Sequence, residues 1–542
     1  MTILLYFYLL SFSIIGYGII ISKFLEIRGN CFGIYGILGF TFLAFISYLS
    51  SIFISHNLIF NSIVILFGLL VFLFFLKKIK NFKKNFLLLN CICLISVFFI
   101  MVSKNHDDFP YYHFPYISLL TEYSHPIGLG LLNNGFRSPS SIFFISSMFY
   151  LPKTGIYLFH LTPGFVFIFA NIIFLRMIFD EKTYIKNKFY NFFSLFAFTF
   201  TNIFFYRLAE HGTDRSGMIL LLIGFCYLIY ITNCIKKLNN HELDLLKIFT
   251  ILIFFIVSIK PFYLINLPLF LIILYNRYTR EAFLSLFFSR TFFYCLSFLF
   301  FTILFTFLNS GCLIFPLSQT CFTNLSWSVD KAIIDDVKLW FELWSKSGAR
   351  PNFIVENREE YINNFNWLSS WTQNYFFNKV SDFLLGLIFT IFIFFIIYFR
   401  LDLKKKENKI EFYLIYFFLI VFFIEWFTKH PTLRYGGYHI FALLLFIPAS
   451  QYLSNLNLDY KNFYMKTLIL VLVVTTIFIA RNTSRLINEN RLYGYNIFKD
   501  PHYKFIGGDE NFYFRYNKHL EDKKNYSFLS FLGKDIMILK NQ

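Results

Sequence analysis

Apolar residues run along this chain in blocks of about 15 to 25, broken by short charged connectors; roughly 20 apolar residues span a hydrocarbon core as a helix. Such blocks fall at residues 2–22, 33–53, 59–76, 85–102, 156–179, 189–206, 216–235, 246–260, 261–275, 286–308, 381–400, 411–428, 437–452 and 464–480. The pattern predicts an all-α fold, a polytopic integral membrane bundle of about 12 to 14 spans. The pair 246–260 and 261–275 is short in each half and interrupted by Lys260-Pro261, so it reads as a broken or re-entrant hairpin. Non-helical backbone at that depth is tolerated only inside protein or beside a wet cavity. The first block starts at Thr2 with no basic n-region or cleavage site, as a retained helix does and a signal peptide does not. Residues 1–480 are expected to form the transmembrane domain. Residues 481–542 are expected to form a small polar tail, in which "IGGDENFYFRY" and "YSFLSFLGKDIMILK" read as short strands.

The connectors divide into two classes. "KFLEIRGN", "KKIKNFKK", "DEKTYIKNK", "KKLNNHELDLLK", "NRYTRE" and "RLDLKKKENK" are short, mostly Lys/Arg-rich and alternate along the chain. The positive-inside rule assigns them to the cytoplasm. The other side receives the loops 103–155, 207–215, 309–380 and 428–439, together with the tail.

Composition agrees with this class. The chain is 57% hydrophobic and 15% charged, against about 25% charged in a soluble domain. The net charge of +18 sits in the connectors, where it reports orientation, and no basic groove with interleaved aromatics points to nucleic acid. The 82 Phe fit A/T-rich codon usage filling lipid-facing and core positions.

The polar residues gather in the outside loops. "KNHDDFPYYHFPY", residues 104–116, sets Asp107 and Asp108 between His106 and His113 directly after a span. Adjacent carboxylates raise one another's pKa, so one of them can act as general base toward a hydroxyl, or the two can hold a divalent cation. Tyr111, Tyr112 and Tyr116 add flat surfaces suited to sugar rings; the plainer alternative is a solvated loop with aromatic-belt anchors. The same loop carries Arg137.

"AEHGTDR" places Glu210, His211, Asp214 and Arg215 between two spans, more ionisable groups than a turn needs, unless they form a self-satisfied ion-pair cluster. Lys260 lies in a long apolar run, where a cation faces a partner or cavity or snorkels to the interface. "KHPTLRYGGYH" offers Arg434, Tyr435 and His439 beside a flexible Gly-Gly, and Arg can hold a phosphate with a bidentate fork. Five of the six Trp (Trp327, Trp340, Trp344, Trp367 and Trp371) lie in 309–380. There "VDKAIIDDVKLWFELWSKSG" has helical spacing, as an interfacial helix or a lid does. Six of the eight Cys, Cys234 among them, fall in or beside spans. Cys312 and Cys321 share one outside loop and are expected to form a disulfide. No CxxC, HExxH or Cys/His metal spacing is present.

With these residues in view, the chain resembles the polytopic membrane glycosyltransferases of the GT-C fold, which take sugars from polyprenyl-phosphate carriers. Their signature is an acidic DD, DxD or ExD motif in an early outside loop, and "HDDFPYYH" matches it as Asp107-Asp108. In the common plan that loop follows the first span; here it follows the fourth. Either three spans precede the core module, or the likeness is convergent. The resemblance implies an Asp that deprotonates the acceptor, and basic residues of other outside loops that bind the donor phosphate. Its partners would be the bilayer, a polyprenyl-phosphate-linked sugar and a glycan or lipid acceptor. Its place would be a bacterial inner membrane, in assembly of a cell-envelope polysaccharide. A lipid-linked polysaccharide polymerase or ligase, or a non-enzymatic flippase, are the alternatives.

Overall fold

The structure, a computed structural model, describes residues 2–29, 31–106, 108–232, 238–350, 353–399, 410–499, 526–531 and 534–539. Asp107, Cys234, the connector 400–409 and the "IGGDENFYFRY" segment lie outside the described residues.

Among the described residues, ten helices are long and apolar enough to cross a membrane. The chain is a multi-pass membrane protein, and its described residues are mostly helical. The other four blocks also form helix, but shorter or more polar helix. Lys188–Phe204 has 17 residues, Asn240–Ile259 opens on the charged stretch "NHELDLLK", and Gly437–Ser454 contains Pro448. Pro261–Tyr275 is a tight turn, Pro261–Asn266, followed by the seven-residue helix Leu269–Tyr275. Most residues of Lys188–Phe204 and Asn240–Ile259 are buried against other helices. Protein there takes the place of lipid, and polar groups are tolerated where lipid does not reach.

Helices in lipid gain little from excluding water, so their association relies on close packing of small residues. Thr2–Phe24 packs against both Phe32–Ser51 and Leu58–Phe75 in this way. A Cβ on Gly16 would stand 1.9 Å from the Gly68 carbonyl oxygen, and one on Gly39 would stand 1.8 Å from that of Ile14. Ile156–Ile178 and Asp214–Thr232 are almost wholly enclosed, whereas Leu58–Lys78 and Phe412–Lys429 present most of their surface outward. The abundant Phe serves both settings. Phe196 is stacked between Phe394 and Phe446 at 4.0 and 4.9 Å, while Phe288 is exposed.

The 309–380 region builds a small second core. Ile334 and Val337 of the helix Lys331–Lys346 pack on Cys312, Phe315 and Val329, and the Cys312–Cys321 disulfide closes this loop. The last membrane helix, Tyr460–Tyr493, has 34 residues. At 1.5 Å per residue it is about 51 Å long, more than the roughly 30 Å of a hydrocarbon core. It therefore carries helix straight through position 480, where the polar composition had suggested a tail. Beyond it, Tyr526–Phe531 and Lys534–Leu539 pair as an antiparallel hairpin, with Tyr526 opposite Leu539.

Candidate active site

Four charged side chains from four separate segments meet at one end of the bundle. The first is Asp108. The helix Phe82–Ile100 stops just before it, and its open carbonyls need donors. The Arg485 guanidinium supplies them, at 2.8 Å from both Phe98 O and Met101 O. Glu489, itself 2.9 Å from Arg485, accepts the Ser103 N–H. The His106 N–H then donates to the Glu210 carbonyl at 2.7 Å. These bonds deliver the chain to Asp108, after which Phe109–His113 forms one wide helical turn. Such widened turns recur at functional sites.

Asp214 begins the helix Asp214–Thr232, where the positive end of the helix dipole favours an anion. Lys260 follows the last residue of Asn240–Ile259. Pro261 cannot continue that helix and forces the residue before it into extended backbone, and Lys260 has φ −156° and ψ 123°. Its ammonium lies 2.7 Å from Asp214 Oδ1 and 4.7 Å from the centre of the Tyr435 ring. The Tyr263 hydroxyl donates to the Asp214 carbonyl at 2.7 Å.

Arg434 sits in the short turn Leu433–Tyr435. Three aromatic side chains fix this segment. Trp371 Nε1 donates to Pro431 O at 2.7 Å, Trp426 Nε1 donates to Thr432 O at 2.8 Å, and the Leu433 N–H donates to the Tyr375 hydroxyl at 2.9 Å. Gly436 then turns with φ +94°, a conformation that L side chains resist, and a Cβ there would stand 2.8 Å from the Phe262 ring. Arg434 Nε donates to Asp214 Oδ2 at 2.7 Å, and an Arg434 Nη donates to Asp108 Oδ2.

The four differ in access. The side chains of Arg434, Lys260 and Asp108 are 31, 27 and 23% exposed, and that of Asp214 only 11%. Of the two carboxylates, Asp108 is thus the one more open to solvent. Its other polar neighbours are more distant: the Tyr112 hydroxyl at 3.4 Å and His106 Nδ1 at 3.6 Å. Burial alone would raise the Asp108 pKa, but the Arg434 guanidinium outweighs burial and holds it below the ordinary carboxylate value. For Arg434, burial opposes the charge, and Asp214 and Asp108 more than compensate, so it stays protonated.

The remaining residues picked from the sequence go elsewhere. Arg137 donates to Gly130 O and Asn134 Oδ1 and lies over the Phe315 ring, where the 103–155 and 309–380 loops meet. Arg215 packs over Phe205 and Tyr438, because as the second residue of its helix it points away from Asp214. Glu210 pairs with Arg207 at 2.6 Å. His113 Nδ1 donates to the His211 carbonyl, the His211 ring stacks on Phe109 at 3.6 Å, and both histidines line a small cavity of about 10 Å³ with Ser146 and Thr213. Burial, only partly opposed by Asp108, lowers the His113 pKa to about 3, so the ring is neutral near pH 7. His439 lies against Tyr263, behind Gly436. Tyr435 belongs to the site: Lys260 stands over its ring and Trp344 of the helix Lys331–Lys346 meets it edge-on at 5.5 Å.

Sequence reasoning missed Trp371, Tyr375 and Trp426 as the supports of Arg434, and Arg485 and Glu489 as the supports of the acidic loop. The one available signal was Arg485 and Glu489 at i, i+4 spacing in a stretch taken for tail. Among the described residues, no three His, Cys, Asp or Glu are grouped to hold a metal ion. A cation site at Asp107-Asp108 would draw on a residue outside those described.

A family profile described as Domain of unknown function (DUF8201) matches residues 1–441, most of the chain, so the chain belongs to that family. Asp108, Asp214, Lys260 and Arg434 all lie inside the match, and the helix Tyr460–Tyr493 lies beyond it. No curated protein and no solved structure matches the chain.

Proposed function

We propose that this family member transfers a sugar from a polyprenyl-phosphate carrier to an acceptor hydroxyl at the outer face of a bacterial cytoplasmic membrane, with Asp108 as general base. One observation carries the reading. An accessible carboxylate and two cations, Arg434 and Lys260, meet where membrane helices end. A lipid-borne phosphate lies at that depth, with its sugar turned toward a water-borne acceptor. A flippase would instead need its polar site near the membrane midplane, between structural repeats.

In the transfer step the acceptor oxygen bonds to the sugar's anomeric carbon and its proton passes to Asp108. The bond from that carbon to the phosphate oxygen breaks, and the electron pair stays on the phosphate, which gains one negative charge. Arg434 and Lys260 are fixed cations aimed at that developing charge, and in a water-poor site such groups stabilise it strongly. Asp214 touches neither reactant; it positions both cations. The flat faces of Tyr112 and Tyr435 border the place a sugar would take.

The test uses purified protein in liposomes supplied with radiolabelled polyprenyl-phosphate sugars from a membrane extract. The wild type moves label to acceptor, and Asp108→Asn loses about 10²- to 10⁴-fold in rate while remaining folded. Near wild-type turnover in Asp108→Asn would refute the mechanism.

A further inference from the structure

We infer that Asp108 holds Arg434 as an internal stand-in for the donor phosphate, and that the arriving phosphate takes Arg434 and releases Asp108. This rests on the quartet being a phosphate-binding transfer site, and it says how that site is switched on.

The two acids on Arg434 are held very differently. Asp214 is clamped on both oxygens, by Lys260 on Oδ1 and by Arg434 on Oδ2, and is nearly sealed from solvent. Asp108 meets Arg434 through Oδ2, the same oxygen that accepts a long hydrogen bond from the Tyr112 hydroxyl at 3.4 Å and faces His106 Nδ1 at 3.6 Å, and it has twice the exposure of Asp214. If one carboxylate must yield Arg434 to an incoming anion, it is Asp108. Asp214, pinned by Lys260, keeps the guanidinium aimed.

Charge leads to the same exchange. Asp108 and Asp214 balance Arg434 and Lys260, so the quartet sums to zero. A phosphate diester brings one further negative charge, and the departing monoester about two. Both cations are already neutralised by protein carboxylates. The phosphate gains a counter-ion only by displacing one of them, and the displaced carboxylate then recovers its appetite for a proton. The acceptor's proton supplies it. A carboxylate bonded to a guanidinium is a poor base, so Asp108 turns into one only when the donor is seated. Donor binding and base activation become a single event, and the empty site is held inert.

A self-occupied site lowers apparent affinity by the fraction of molecules that are competent, so a competitor seated nine times in ten weakens binding about tenfold. The experiment is calorimetric titration of the full-length protein in detergent with farnesyl phosphate and, separately, inorganic phosphate. Asp108→Asn is expected to bind farnesyl phosphate about tenfold or more tightly than wild type, whereas Asp214→Asn and Glu210→Gln, which remove the same charge nearby, show no such gain. Glu210→Gln keeps the comparison intact if Asp214→Asn does not fold. A gain with both probes means that the phosphate group itself is the competitor, and a gain with farnesyl phosphate alone means that the lipid-borne phosphate is. Equal affinity in wild type and Asp108→Asn overturns the exchange and leaves the transfer reading standing. Equal gains in all the acid variants reduce it to bulk charge and also overturn it. Failure of wild type and Asp108→Asn to bind either probe removes the phosphate site, and with it the proposed transfer.

Discussion

Arg434 Nε lies 2.7 Å from Asp214 Oδ2, across 220 positions of sequence, and Lys260 holds the other oxygen of the same carboxylate at an equal distance. Asp214 therefore serves two cations at once. Removing one partner of a buried ion pair leaves the other charge desolvated and uncompensated, which costs more than the pair ever contributed.

Asp214→Ala is accordingly expected to destabilise the protein by about 3 kcal/mol, at the low end for buried pairs because Lys260 and Arg434 keep some access to water. Thermal unfolding in detergent measures this. Adding Lys260→Met should recover part of the loss, since one stranded cation goes with it. Additive losses in the double variant would mean that the two residues do not depend on each other.

Arg434→Lys keeps the charge but removes the fork that contacts Asp214 and Asp108 together. Transfer is expected to fall by about 10²-fold or more, the usual cost of losing a preorganised donor at a site of developing charge. Size-exclusion behaviour should stay as in wild type. Full activity in this variant would assign Arg434 to anchoring alone.

The Asp108 pair also predicts an acid response. Its folded pKa lies below the unfolded value of about 3.9. A depressed carboxylate contributes stability above the unfolded pKa and loses it as pH falls through the folded one. Wild type should thus lose stability more steeply than Asp108→Asn below about pH 4, with parallel curves from about pH 5 to 7. Unfolding midpoints across that range decide it; identical acid slopes would mean that the pair contributes nothing.

Orientation is open to labelling. Lys338 of the helix Lys331–Lys346 and Lys83 at the start of the fourth span are both exposed. A membrane-impermeant thiol reagent applied to intact cells should modify Lys338→Cys and spare Lys83→Cys, as the Lys-rich connectors require. The reverse pattern would turn the protein over.

Much of this site was legible because ionisable residues are expensive in so apolar a chain. Asp108 stood out with Asp107 as an acidic pair directly after a span, Asp214, Lys260 and Arg434 as ionisable residues beside or inside apolar runs, and Lys260-Pro261 marked the helix break that frees the lysine side chain. Their pairing was not legible, since nothing local connects positions 108, 214, 260 and 434. Arg137 and Arg215 show the limit. They are the same residue type as Arg434 in the same loops as Asp108 and Asp214, yet each settles on nearby carbonyls or rings. The helical continuation past position 480 was not legible for a related reason. "RNTSRLINENRLY" is polar like a tail, but its Arg485 and Glu489 are spent on the loop before Asp108, and that contact keeps it helical.

The reach of these contacts bears on how the protein is made. Asp108 waits for Arg434, 326 positions later, and its loop waits for Glu489, 386 positions beyond Ser103. At about 5 to 20 residues per second, the first interval alone lasts roughly 16 to 65 s. Asp108 waits through all of it, and Asp214 and Lys260 join it partway, before their central partner is made. The half-built chain holds unmatched charges at the membrane surface and is at its most vulnerable to membrane proteases. Variants that slow synthesis of the last third should therefore lower the amount of protein that survives, even where the finished molecule is unchanged.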